Sequence, residues 1–364
     1  MRNILIDNRN WERYKSFHND LRPEQIKEVD SMLICNNPIK GYFWYYCDVC
    51  KRDIIRHLSC NSRICPRCGT KYVNAWATKT TNRMLNVDHN HIIFTMPDCL
   101  WPLIKNNYNC IKELAEGTFK VISESMNQSA KQFIIPGMIN TLHTYGEDMK
   151  WNVHFHTIVT QGGMNKNNKW KSITFIPYEI LRVKWKIYCL KIIKKNIPMN
   201  SNNQTLFESL YYHEYRNGFN IRVVKSGIPK KELIGYIARY IRHPAISNRR
   251  IIGYDKNVVT ISCDKKKDKS YTLSFTVEEF ITRLIQHIPE KNFKLTRSYG
   301  LYSRRKTKIK LKYFVQESIL FYTKSQHSIE CPYCGKILHV IEYFPPSFAS
   351  GPPLAIRNLT EWIS

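Results

Sequence analysis

The sequence predicts an α+β fold rich in antiparallel pairs. Three observations lead there. Strand-like and helix-like segments alternate through the middle of the chain, roughly residues 86 to 325. Several strand-like runs follow one another across short polar links, as the two arms of a hairpin do. Two CxxC knuckles near the start mark a small metal-binding module outside that alternation. A strand–helix mixture with antiparallel pairs makes α+β the better class.

Taken in order, residues 1 to about 85 hold the two knuckles and a basic helix-like stretch. HIIFTMP (91–97) is a run of apolar, β-prone residues that stops at Pro97, so a buried strand is expected. Cys110 to Phe133 carries helical periodicity. MINTLHTYG (138–146) and WNVHFHTIVTQGG (151–163) read as two strands, and the polar link Glu147-Asp148-Met149-Lys150 suits the turn between them. A helix is expected from Tyr178 to Lys195 and a short strand at FNIRVV (219–224). KKELIGYIARYIR (230–242) is a helix ended by His243-Pro244, because proline has no N–H to continue it. VVTISCD and SYTLSFT flank DKKKDK as a further hairpin, and VEEFITRLIQHI (277–288) is a helix. Residues 326–364 form a tail with a third CxxC and the Pro-rich run FPPSFASGPP. The expected division is therefore 1–85, 86–325 and 326–364.

Composition narrows the partner. The 364 residues are 43% hydrophobic and 13% aromatic, enough to build a sizeable core. Lys and Arg number 56 against 29 Asp and Glu, a formal charge of +27 spread along the chain. A positive field of that size points to nucleic acid. A membrane surface would need an apolar anchor, and no apolar run of spanning length or signal-peptide pattern is present. Twelve cysteines, six of them in CxxC pairs, fit metal binding in a reducing cytoplasm better than disulfides. Cys99, Cys110, Cys189 and Cys263 read as packed core thiols.

CDVCKRDIIRHLSCNSRICPRCG supplies Cys47, Cys50, Cys65 and Cys68. Two knuckles separated by fourteen residues match a four-thiolate structural Zn2+ site, with the loop letting them converge. Cys60 and His57 lie between the knuckles as substitute ligands. Cys331 and Cys334 repeat the knuckle form but do not close a site alone. Cys35, Cys60, His57 and His339 are their candidate partners in a second site. Lys71, Arg63 and Arg67 beside the module suit DNA phosphates.

His154-Phe155-His156 lies in a predicted strand. Alternation puts both imidazoles on one face and Phe155 on the other, a ready pair of metal ligands. A third ligand is needed, and the residues leave two choices: Glu147 at the turn, or His143 on the preceding strand. Mixed histidine and carboxylate ligation would suit Mg2+ or Mn2+ in phosphate chemistry. Tyr236 and Tyr240 are one helical turn apart, so two phenols could be presented in succession to one phosphate. The same positions, with Leu233, Ile237 and Ile241, also form an apolar stripe that a plain core helix would carry. Arg239, Arg242, Arg249 and Arg250 are close enough in sequence to hold flanking phosphates.

The series CxxC…CxxC, LHTYG, HFHTIVTQGG, YIARYIRHPAISNRRI and HIPEKNFKLTRSYGLYSRR resembles, in order, the insertion-sequence ninety-one type of transposase. The resemblance spans roughly residues 30 to 340. It implies an HUH-type catalytic fold, with a central antiparallel sheet carrying HFH on a middle strand, a tyrosine helix across it, and an N-terminal zinc module. It implies His154 and His156 as the metal pair, Tyr236 and Tyr240 as nucleophiles, and Cys47, Cys50, Cys65 and Cys68 as zinc ligands. The implied reaction is rolling-circle transposition in a bacterial cytoplasm, at the nucleoid: single-stranded DNA at element ends is cut to a 5′-phosphotyrosine, then joined to target DNA. Two positions depart from the pattern: Ile64 stands where a polar or basic residue is expected, and Glu147 where Gln is common. A replication initiator of the same chemistry and a non-catalytic zinc-dependent DNA-binding protein are the alternative readings.

Overall fold

The computed structural model describes residues 1–173, 176–230, 232–233, 245–265, 269–303 and 329–345. Its largest element is an antiparallel sheet, in agreement with the expected α+β class. Seven strands set its frame and the neighbouring small sheet: β1 Tyr42–Cys47, β2 Arg52–His57, β3 His89–Thr95, β4 Ile134–Tyr145, β5 Trp151–Asn165, β6 Trp170–Ser172 and β7 Ile221–Ile228. Five more follow: β8 Ile251–Tyr254, β9 Val258–Lys265, β10 Lys269–Thr276, β11 Thr296–Gly300 and β12 His339–Phe344. The large sheet runs β11-β4-β5-β3-β7, with β6 paired to the far end of β5. The predicted 138–146 and 151–163 arms are its two longest strands, β4 and β5.

The nine described helices are α1 Arg2–Ile6, α2 Asn10–Phe17, α3 Pro23–Leu33, α4 Pro66–Thr81, α5 Trp101–Ile104, α6 Tyr108–Ala130, α7 Tyr178–Asn196, α8 Ser201–Glu208 and α9 Val277–Ile285. Local chemistry explains several starts. Asn107 caps α6 by accepting from the Cys110 amide at 3.0 Å. Thr276 and Glu279 form a reciprocal capping box at α9. None of the described helices is long and apolar enough to cross a membrane.

The two faces of the large sheet are covered differently. On one face Met138, Leu142, Val153, Phe155, Val159, Ile92 and Phe94 pack under α6 and α7, forming the main core. On the other, Ile139 and Ile158 meet Ala77 of α4, with Met84, Ile228 and Leu233. Period-2 alternation therefore sends Phe155 into the main core and leaves its neighbours, His154 and His156, on the opposite face. Leu233 belongs to that histidine face. It is fully buried at the start of the segment that leads to Tyr236 and Tyr240. Both tyrosines, and Arg239 and Arg242, lie outside the described residues.

Packing reaches across residues 85 and 326. Helices α1–α3 share one core with Ile246, β9, β10 and α9. At the other end of the chain, β12 adds to β1 in a three-stranded sheet β12-β1-β2. The N-terminal module is thus assembled from three stretches distant in sequence. Ile64, at a position where a polar residue was expected, is 4% exposed within the shared core, so an apolar side chain suits it.

Candidate metal centres and active face

The histidine face holds three converging imidazoles. In the β4–β5 ladder His143 pairs directly with His154, and Thr141 with His156. Directly opposed residues point to the same side of a sheet. His143, His154 and His156 each present a ring nitrogen, and these atoms lie within 4.8 Å of one another. Ring centroids are 4.3 Å apart for His143–His156 and 5.1 Å for His154–His156. His154 Nδ1 lies 2.9 Å from the Asn152 carbonyl. Only an N–H can bond that oxygen, so the other nitrogen, Nε2, keeps its lone pair for a metal.

A fourth histidine backs the cluster. His91, fully buried on β3, places Nε2 3.0 Å from His156 Nδ1. Sequence reasoning placed His91 in a strand but missed this role, because the contact crosses between strands 65 residues apart. Burial holds His91 down to about 4 and lowers His154. His156 is held well below its ordinary range by burial first, then by His143, His154 and His91. All three are thus neutral near neutral pH, the form in which imidazole binds a metal.

Glu147, the other choice for third ligand, is not brought into this cluster. It is exposed at the hairpin turn, and Tyr145↔Trp151 is the last strand pair before it. Its carbonyl accepts from Arg250 and from the Cys263 thiol, which fixes the turn beyond the ladder. The Arg250 guanidinium, expected at DNA phosphates, also donates to the Ser262 carbonyl at 2.9 Å and serves the fold.

The cysteines form two clusters, which corrects the grouping expected from the spacing. Cys65 and Cys68 join Cys35 and Cys60; Cys47 and Cys50 join Cys331 and Cys334. The reason is the β1–β2 hairpin. Cys47 and Cys50 sit at its tip, while β2 carries the chain back along β1 to Tyr42↔His57 at its base. Six residues of strand at ~3.3 Å each separate the knuckles by about 20 Å. The intervening loop is stiff and cannot close them on one ion. His57 and His339 join neither cluster: His57 packs edge-on to Tyr42, and His339 lies 3.4 Å from Asp48.

In the first cluster the sulfurs are 3.4 Å (Cys60–Cys68), 3.5 Å (Cys35–Cys68) and 3.7 Å (Cys65–Cys35) apart. Tetrahedral Zn–S bonds of ~2.3 Å require edges of ~3.8 Å. Cys65 is the N-cap of α4 and Cys68 lies in its first turn, where the helix dipole favours thiolates. The Cys65 thiol is drawn down to about 5, chiefly by hydrogen bonding with Cys60. Cys60 is pushed far up, first by the same contact. Four such thiols ionise together only around a cation.

A family model described as "Putative transposase" matches residues 137–309, and one described as "Transposase zinc-binding domain" matches residues 6–96. The chain belongs to the insertion-sequence ninety-one family of transposases. It is 27% identical over 321 residues to the "Transposase for insertion sequence element IS801" of Pseudomonas savastanoi pv. phaseolicola, covering 84% of this chain and 76% of that one. It is 24% identical over 328 residues to "Putative transposase y4qJ" of Sinorhizobium fredii (strain NBRC 101917 / NGR234), covering 84% and 81%. No solved structure matches it. As a transposase it acts on DNA, and the first cysteine cluster lies wholly inside the zinc-binding domain, where the zinc is structural.

Proposed function

We propose that this transposase cuts and rejoins single-stranded DNA at element ends through a 5′-phosphotyrosine, in rolling-circle transposition. The observation that carries the reading is the three-imidazole cluster His143, His154 and His156, on the sheet face where Leu233 leads into the segment bearing Tyr236 and Tyr240. In this reading a tyrosine oxygen attacks the scissile phosphorus, the P–O3′ bond breaks, and the proton lost by the phenol balances the 3′-hydroxyl that leaves. The phosphotyrosine conserves the bond for joining to target DNA. The paired tyrosines would serve the two strand transfers in turn.

The donor set fits a divalent cation, which would polarise the phosphate when bound. Three nitrogens suit Mn2+ better than Mg2+, which prefers oxygen. His143, His154 and His156 would hold the ion, and the Asn152 carbonyl and His91 would orient their rings. The two rigid central strands keep the geometry fixed before DNA arrives.

The test is a covalent-adduct assay. The full chain is incubated with labelled single-stranded oligonucleotides from the element ends, with Mn2+ or Mg2+, and resolved under denaturing conditions. An adduct is expected with the wild type, lost with His154→Ala and with the Tyr236→Phe/Tyr240→Phe pair. An adduct that persists in both variants sinks the assignment.

A further inference from the structure

We propose that Cys47, Cys50, Cys331 and Cys334 bind a second structural zinc, one that fastens the segment 329–345 onto the N-terminal hairpin. Cys331 and Cys334 lie outside both matched regions, 6–96 and 137–309. Cys331 is separated from Cys50 by 281 positions.

The geometry has the dimensions of a tetrahedral site. Cys47 and Cys334 sulfurs are 3.6 Å apart, Cys331 and Cys50 are 3.8 Å apart, and all four lie within 4.8 Å of one another. Edges of ~3.8 Å are what Zn–S bonds of ~2.3 Å demand. The same separations are nearly twice the ~2.05 Å of a disulfide, and all four cysteines are free.

Both knuckles are built alike. The residue after the second cysteine is left-handed in each: Lys51 at φ 50° and Gly335 at φ 72°. That conformation turns the chain so that the two sulfurs of a knuckle face one point. In the first knuckle the Cys50 amide approaches the Cys47 sulfur at 3.4 Å. In the second, the Gly335 amide donates to the Cys331 carbonyl at 2.9 Å and the Cys331 amide to Lys336 at 2.7 Å.

A separate observation asks for the same metal. The sheet β12-β1-β2 has very little core of its own. Tyr45, Cys47, Cys331 and Leu338 are its buried apolar cluster, and two of those four are the cysteines themselves. β12 is exposed along almost its whole length, with Val340 at 57% and Ile341 at 51%. So small an apolar cluster does not hold a three-stranded sheet in water. Small modules of this kind obtain their folding free energy from a structural metal. The zinc would act as a clasp between stretches near the two ends of the chain, anchoring β12 on β1 through the register Tyr42↔Phe344 to Tyr46↔His339.

The experiment counts metal. The full chain, purified without chelator, is expected to carry two zinc ions per polypeptide by elemental analysis. The Cys331→Ser/Cys334→Ser variant should carry one, with faster amide exchange across 339–344 and no change across β4 and β5. Cys334→His should keep two, because a three-cysteine, one-histidine set still binds zinc. Should the double variant be insoluble, cobalt titration of the metal-stripped wild-type chain decides. Two equivalents with tetrahedral thiolate spectra are expected, and saturation at one overturns the proposal. A wild type with a single zinc, or two zincs that both survive the double substitution, overturns it equally. Zinc counts do not depend on DNA cleavage, so this test and that of the proposed function fail separately.

Discussion

Replacing His143 and Glu147 in parallel distinguishes the two candidates for third ligand. His143 is one of three ring nitrogens grouped within 4.8 Å, whereas Glu147 is exposed beyond the last strand pair. His91 supplies an internal scale, since it touches His156 at 3.0 Å without joining that group. Loss of such an outer partner costs metal affinity about 10- to 100-fold, or ~1.4–2.7 kcal/mol. His91→Ala should fall in that range. His143→Ala removes one donor of three and should exceed it, costing more than ~100-fold. Glu147→Gln keeps the backbone carbonyl that Arg250 and Cys263 use, so it should change affinity less than ~3-fold. The assay is Mn2+ titration of zinc-replete protein, followed by calorimetry or by the electron-spin resonance of free Mn2+, with the metal dependence of adduct formation as a second readout. A Glu147→Gln loss as large as that of His143→Ala would refute the geometric argument.

Four further outcomes are expected. Arg222 is exposed on β7, and Ile93 pairs with both Arg222 and His156, so the arginine stands two strands from the metal face and on the same side; Arg222→Ala should weaken single-stranded DNA binding and lower its salt slope by about one phosphate contact, and an unchanged slope would exclude that contact. His89 and His287 are each held down to about 4, burial being the first cause. The unfolded chain takes up these protons near pH 6.5 and the folded chain only near 4, so stability should be complete above 6.5 and fall as pH drops toward 4, by up to about 3 kcal/mol per histidine; a denaturation midpoint flat across that window would contradict it. Gly300 has φ 56°, and an added Cβ would come within 1.8 Å of the Pro136 carbonyl oxygen; Gly300→Ala should therefore cost several kcal/mol in chemical denaturation, against about 1 for Gly335→Ala, which meets nothing within 4 Å. Prolonged chelation that strips the cysteine clusters should abolish DNA cleavage even after Mn2+ is restored, with recovery only on adding zinc; full activity of zinc-free protein would show the module to be dispensable.

The legible parts of this fold are those whose information is local. β4 and β5 were read correctly because their alternation and the polar link 147–150 are contiguous, and the place of Phe155 behind the histidines follows from the same period. Tyr178–Asn196 and Val277–Ile285 were legible from helical periodicity. What escaped was decided by contacts distant in sequence. The pairing of knuckles depends on a hairpin whose length is hard to read from YFWYYC and RDIIRH, and on a strand nearly 300 residues further on. That His143, and not Glu147, stands beside His154 and His156 depends on strand register, since a shift of one residue would turn His143 to the other face. His91 was hidden for a different reason: HIIFTMP reads as a plain buried strand, and only the β3–β5 register puts its first residue against His156.

Helix α4 gives the zinc module a mechanical reason to exist. Its first turn carries Cys65 and Cys68, and Ala77 near its other end is buried against Ile139 and Ile158 on the histidine face. Sixteen helical residues make a rod of about 24 Å, so one end is fixed by the cysteine cluster and the other rests on the large sheet. Glu28 of α3 reinforces the fixed end, accepting from the Arg63 amide at 2.7 Å and, through its carbonyl, from the Ser62 hydroxyl at 2.8 Å. A rod held this way transmits displacement without bending, because packed interiors do not deform continuously. Loosening the thiolate cluster would therefore shift Ala77 against Ile139 and Ile158, two residues along each strand from Thr141 and His156. The cysteine cluster of the N-terminal module and the three-histidine cluster are thus linked by the packing of one helix.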